Sequence, residues 1–151
     1  MFLFHPNLRV LKNFILAGSL LAGWSLSGQT WRNLPQEWKL SAGDFEDCQN
    51  LTFDDSQWKT VDLAKAARGQ GDLDKVVWCR LHLKVPADCQ KQDLIVHLGK
   101  LGNPATTFFN GVRIITGFGA REETVFIVPD VLVKSGGENV IAIKIVALQT
   151  E

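Results

Sequence analysis

Four side chains suited to ligand contact stand at alternate positions of one stretch: Trp78, Arg80, His82 and Lys84. An indole beside a guanidinium can stack on a sugar ring and donate hydrogen bonds to its hydroxyls. The pair has a structural reading too, and that reading is favoured. The face can pack under a second layer, or Arg80 can stack on Trp78, because aromatic bulk in a small β domain is usually core. Asn110, Phe118 and Arg121 complete the candidate ligand-binding set. Phe118 stands between Gly117 and Gly119 in a loop, and loops carry much of a protein's function.

Other constellations are weaker. Asp44, Glu46, Asp47, Asp54 and Asp55 offer oxygen atoms close in sequence, but their spacing fits no calcium loop, so a turn built on Asp54, Asp55 and Ser56 is expected and no metal site is assigned. Cys79 could be a nucleophile with His82 or His97. Alternation puts Cys79 on the opposite strand face from His82, which argues against that pair. No catalytic residue and no cofactor is assigned. Of the cysteines, Cys48 and Cys89 lie in polar stretches and are the better candidates for a bridge, while three reduced thiols fit the sequence equally well.

The elements that must position these residues are strands. Val77, Cys79, Leu81, Leu83 and Val85 alternate with the polar set above, predicting a half-buried strand over 76–85 that Pro86 ends. Further runs at 38–42, 60–63, 94–98, 106–109, 112–115, 124–128 and 139–147 bring the expected number to about eight. Asn110-Gly111 between two of them predicts a hairpin with a type I′ turn. Short helical turns are expected at 64–68 and 129–134. Connections are too short for the crossovers of a parallel sheet, so the fold class is all-β, an antiparallel sandwich.

The chain has 151 residues, enough for one domain and too few for a (β/α)₈ barrel of about 250. With 46% apolar and 21% charged residues, wholesale disorder is excluded. Lys+Arg 16 balance Asp+Glu 16, which speaks against a nucleic-acid partner. Arg9 and Lys12 precede an apolar run, 14–24, and the small residues Ser25 and Ser27. This is the pattern of a signal peptide, and the run is shorter than the roughly 20 residues a membrane span needs. The expected organisation is a leader at 1–28, a linker at 29–37 and one domain at 38–151. The mature chain is then secreted or periplasmic, with no membrane span after cleavage.

Several pieces, in order, resemble one family: Trp38-Lys-Leu-Ser-Ala-Gly43-Asp44, Phe53-Asp-Asp-Ser-Gln-Trp58, Val77-Trp78-Cys79-Arg80 closing at Val85-Pro86, Phe108-Phe109-Asn110-Gly111, and Gly136-Gly137-Glu-Asn139-Val-Ile-Ala-Ile143. Together they resemble the galactose-binding-domain-like β-sandwich, in particular the N-terminal jelly-roll domain of family 2 glycoside hydrolases and related bacterial exported and sensor modules. Cys79 stands where the family usually carries an aromatic residue, and the chain has no Tyr. The resemblance implies a jelly roll without the hydrolases' catalytic barrel. It implies a non-catalytic exported module, not an enzyme, with a carbohydrate or an envelope protein as partner. The alternative is a structural, protein-interaction or sensory sandwich, a remnant of a larger hydrolase or sensor.

Overall fold

A computed structural model describes residues 7–11, 31–35, 37–62, 76–101, 103–117 and 123–146. Among them are ten strands: β1 (Asn7–Leu11), β2 (Trp31–Asn33), β3 (Glu37–Ala42), β4 (Lys59–Asp62), β5 (Val76–Lys84), β6 (Asp93–Gly99), β7 (Ala105–Phe109), β8 (Val112–Gly117), β9 (Thr124–Val128) and β10 (Glu138–Val146). They form a four-stranded sheet, β2-β1-β6-β9, and a six-stranded sheet, β4-β3-β5-β10-β7-β8. Every pairing is antiparallel. Single 3₁₀ turns follow two of the prolines, at Ala87–Cys89 after Pro86 and at Asp130–Leu132 after Pro129.

Each strand expected from alternation is present within a residue or two at its ends. Two more lie upstream. β1 falls in the expected leader and pairs with β2 on one side and β6 on the other. β2 falls in the expected linker. Neither is long enough for a period of two to be read with assurance: β2 has three residues, and Leu8-Arg9-Val10 of β1 sits just before a longer apolar run. The helical turn expected at 64–68 lies outside the described residues.

β5 and β10 pair over nine residues at the centre of the larger sheet. Their inward side chains, Val77, Cys79, Leu81, Leu83, Ile141, Ile143 and Ile145, meet Leu94, Val96 and Leu98 of β6 and Phe126 and Val128 of β9. Burying each such Leu, Ile or Phe contributes about 1.5–3 kcal/mol against leaving it in water. A register shift at Thr107/Phe108 leaves Ile114 unmatched in β8. Such a bulge breaks strict alternation, and here both Ile114 and Ile115 pack on the core.

The expectation of a half-buried β5 needs correction. Trp78 and Arg80, on its other face, are buried as well. The segment from Gly43 to Trp58 crosses that face, and Cys48, Leu51, Phe53 and Trp58 pack on Trp78, Val140 and Ala142. Alternation can tell one face from the other, but not whether a loop returns to cover the polar one. The same cover separates the cysteines. Cys48 lies in the outer cluster and Cys89 in the inter-sheet core, and all three cysteines are buried. Burial pushes the Cys79 thiol up to about 12.

Candidate ligand-binding cleft

Arg80 holds the covering segment in place. Its side chain is fully buried, an environment a guanidinium tolerates only when fully paired. Nε donates to Asp55 Oδ2 at 2.7 Å. Nη1 donates to the carbonyl of Cys48 and, at 2.9 Å, to that of Asn50. Nη2 reaches the carbonyl of Phe53 at 3.4 Å, and the Phe53 ring centroid lies 5.3 Å from the guanidinium carbon. These are loop carbonyls with no ladder to join, so a donor from the sheet below satisfies them.

His82, two residues along, bridges two carboxylates. Nε2 lies 2.7 Å from Asp55 Oδ2 and Nδ1 lies 2.8 Å from Glu138 Oε1. Burial pushes the Asp55 carboxyl up, but the bonds from His82 and Arg80 outweigh it and hold the group below the ordinary carboxylate value. Asp54 turns the other way and accepts from the Ser56 amide at 2.9 Å, the Asx turn expected from Asp-Asp-Ser. The five neighbouring acids therefore do not gather at one point: Asp54 and Asp55 turn apart, while Asp44 meets Lys144 and Asp47 meets Asn50.

Beside this anchor the segment leaves an open cleft of about 610 Å³ against the sheet. Its floor is Trp78 and Phe108, stacked at 5.8 Å between centroids and 29° between planes. Lys144 of β10 lies over the Trp78 ring, 5.8 Å from its centroid, and pairs with Asp44 at 2.6 Å. The bond from Lys144 is the main reason the Asp44 carboxyl is held below its usual value. Phe45, Glu46, Asp47 and Gln49 form the opposite wall. Phe45 is 42% exposed at the cleft, with its ring tilted against Trp58 at 6.0 Å between centroids. Its position is fixed by Gly43, whose φ of +118° suits glycine, and by the Gly43 amide donating to the Val76 carbonyl at 2.9 Å.

The candidate residues separate under this geometry. Trp78 is 3% exposed, yet it floors the cleft beneath Lys144. Arg80 is spent on the covering segment and offers no face to a ligand. Asn110 is a structural hub. It takes φ of +48°, beside Gly111 at +90°, as a type I′ turn requires. Its Nδ2 donates to the Leu132 carbonyl and Asn139 Oδ1, and its Oδ1 accepts from the Val140 amide. Phe118 and Arg121 lie outside the described residues. Of the three that are described, the cleft takes Trp78. It adds Phe45, Gln49, Phe108 and Lys144, which the alternation argument did not select. Two cues for them exist in the sequence: Phe45 is an apolar residue amid three acids, and Lys144 interrupts the apolar run of the last strand.

No family model matches the chain, and no curated protein does. Solved structures do resemble it. One is a beta-glucuronidase from glycoside hydrolase family 2, with 21% identity and a TM-score of 0.64, covering 74% of this chain and 13% of that one. Another is a family 2 member from Bacteroides cellulosilyticus, with 18% identity and a TM-score of 0.62, covering 72% and 16%. A third is a beta-glucuronidase from Bacteroides uniformis, with 23% identity and a TM-score of 0.62, covering 72% and 14%. The chain spans less than a fifth of the length of each of these hydrolases. What it shares with them is the fold of a β-sandwich that makes up a small part of each.

Proposed function

We propose that the chain is a non-catalytic carbohydrate-binding module that works outside the cytoplasm. The observation that carries this reading is the cleft itself. It sets the part-exposed Phe45 ring beside the carboxylates of Glu46 and Asp47, the Gln49 amide and the Lys144 ammonium. An apolar ring face flanked by convergent donors and acceptors matches the amphipathic surface of a sugar. The likeness to part of several glycoside hydrolases supports the same reading. Calorimetric titration with a panel of neutral oligosaccharides tests it. Binding is expected, and Phe45→Ala should weaken it at least about tenfold while leaving the melting temperature near wild type, since that ring is partly in water. No binding by any oligosaccharide at millimolar concentration overturns the proposal.

Export is the second part of the proposal, and it rests on the charge and apolar pattern of residues 1–28. Removal of those residues would take β1 from between β2 and β6, so of that sheet the exported form would keep only the β6–β9 pair, with β2 left without its strand partner. Sequencing the N-terminus of protein recovered from outside the cytoplasm tests this. A start near Gly28 is expected; a start at Met1 overturns it.

A protein-interaction role is favoured by a different observation. Val125 and Ile127 of β9 expose apolar side chains, as does Val131 just beyond. Co-purification of one stoichiometric envelope protein, lost on Ile127→Lys, would support that role; retention of the partner by that variant would remove it.

A further inference from the structure

The geometry points to a preference at this cleft for saccharides bearing a protonated amine over neutral or acidic ones. This rests on the carbohydrate reading and narrows it. Asp44, Glu46 and Asp47 line the cleft against a single cation, Lys144. Lys144 is paired to Asp44, so among the described residues Glu46 and Asp47 face the cleft without a cationic partner. Asp47 receives only the neutral amide of Asn50, at 3.0 Å.

The fold already stabilises one ammonium in these surroundings. Lys144 Nζ sits between the Asp44 carboxylate and the Trp78 ring face, the two groups that best hold an alkylammonium out of bulk water. The Trp78 indole supplies a second, independent sign of a site. Its Nε1 is buried and lacks a well-formed hydrogen bond; Asp44 is close enough for the indole N–H to help hold its carboxyl down, yet it does not complete the bond. Buried donors are nearly always satisfied, so one left over at the wall of a cleft marks a place that an incoming acceptor can complete. Phe45 then offers the stacking face for the sugar ring, with Glu46 and Asp47 placed for its amine.

Exposed ion pairs of this kind are each worth a factor of about three, so two together give a preference of about tenfold. The test is calorimetric titration of the full chain at mildly acidic pH and low salt. The probes are the tetrasaccharides of glucosamine, N-acetylglucosamine and galacturonic acid. The glucosamine tetramer should bind about tenfold tighter than the N-acetyl one, and the acidic one should bind weakest. Added salt should remove the difference. The double substitution Glu46→Gln, Asp47→Asn should bring glucosamine and N-acetylglucosamine tetramers to similar affinity. Both side chains are exposed, and asparagine tolerates the φ of +61° at position 47, so the variant should fold. Equal affinities in the wild type, a preference for the acidic tetramer, or a preference that survives the double substitution overturns the inference and leaves the carbohydrate reading standing. Failure of all three to bind overturns the inference, and only failure of the whole neutral panel as well removes the carbohydrate reading.

Discussion

The outer faces of the two sheets began from similar strands and ended differently. On the six-stranded sheet, Trp78, Arg80, Val140 and Ala142 are buried beneath the segment 43–58. On the four-stranded sheet, Val125 is 38% and Ile127 58% exposed. Hydrophobicity does not explain the contrast, because the bare face of β9 is the more apolar of the two. The difference lies in what a covering loop requires. A loop laid over a sheet has carbonyls with no strand to bond, and leaving them dry and unpaired costs about 1–3 kcal/mol each. Arg80 supplies donors to three such carbonyls and to the Asp55 carboxylate. β9 has only aliphatic side chains at the matching outward positions. The polar residue in an apolar strand is what allows its face to become dry.

The largest test removes that donor. Arg80→Met keeps most of the volume but leaves Asp55 with His82 alone and strips the carbonyls of Cys48 and Phe53 of their donor under the cover. A loss of about 3–5 kcal/mol is expected, the cost of breaking a buried pair from one side. The urea midpoint reports the loss, and limited proteolysis should now cut within 43–58. A change below about 1 kcal/mol would mean that the apolar contacts of Phe53 and Trp58 hold the cover without Arg80.

Acid attacks the same anchor more gently. The folded protein holds the Asp55 carboxyl below its ordinary 3.8. Its contribution is therefore fully present above the unfolded value and is lost as pH falls through the lower folded value. The melting temperature should drop across that range, and the profile of Asp55→Asn should be flatter. Parallel profiles would place the acid sensitivity elsewhere. A smaller contrast concerns the thiols on opposite sides of β5. Cys48 lies under the cover and Cys79 in the inter-sheet core. Local opening of a loop costs less than opening the sandwich, so an alkylating reagent should label Cys48 at least about tenfold faster than Cys79. Equal rates would mean that cover and core open as one unit.

The sandwich was legible because period two is a direct imprint of a sheet with one greasy side. Val77 to Val85 and Ile141 to Ile145 carry it without interruption, and Asn110-Gly111 fixes its hairpin. The site was less legible. Arg80 and Asn110 have the side chains of ligand contacts, but the same donors and acceptors serve backbone groups that only the folded topology brings near. Arg80 reaches Asp55 across 25 positions of sequence and Asn110 reaches Asn139 across 29. Phe45 was overlooked for the converse reason. Nothing local tells a phenyl ring in a polar loop from one that will be buried, and its neighbour in the same loop, Phe53, is half-buried against Trp58.

The smallest effect is the most discriminating for the bare face. If Ile127 is exposed because nothing of this chain covers it, Ile127→Thr should change stability by no more than about 0.5 kcal/mol, since a β-branched residue on an open sheet face loses little by gaining a hydroxyl. The same exchange at Val140, under the cover, introduces a hydroxyl where no water can reach and should cost about 1–3 kcal/mol. The pair of substitutions isolates the cover from strand propensity, because threonine suits a strand in both places. Comparable losses at the two positions, measured as shifts in urea midpoint, would show that the outer face of β9 is also buried in solution, against a partner.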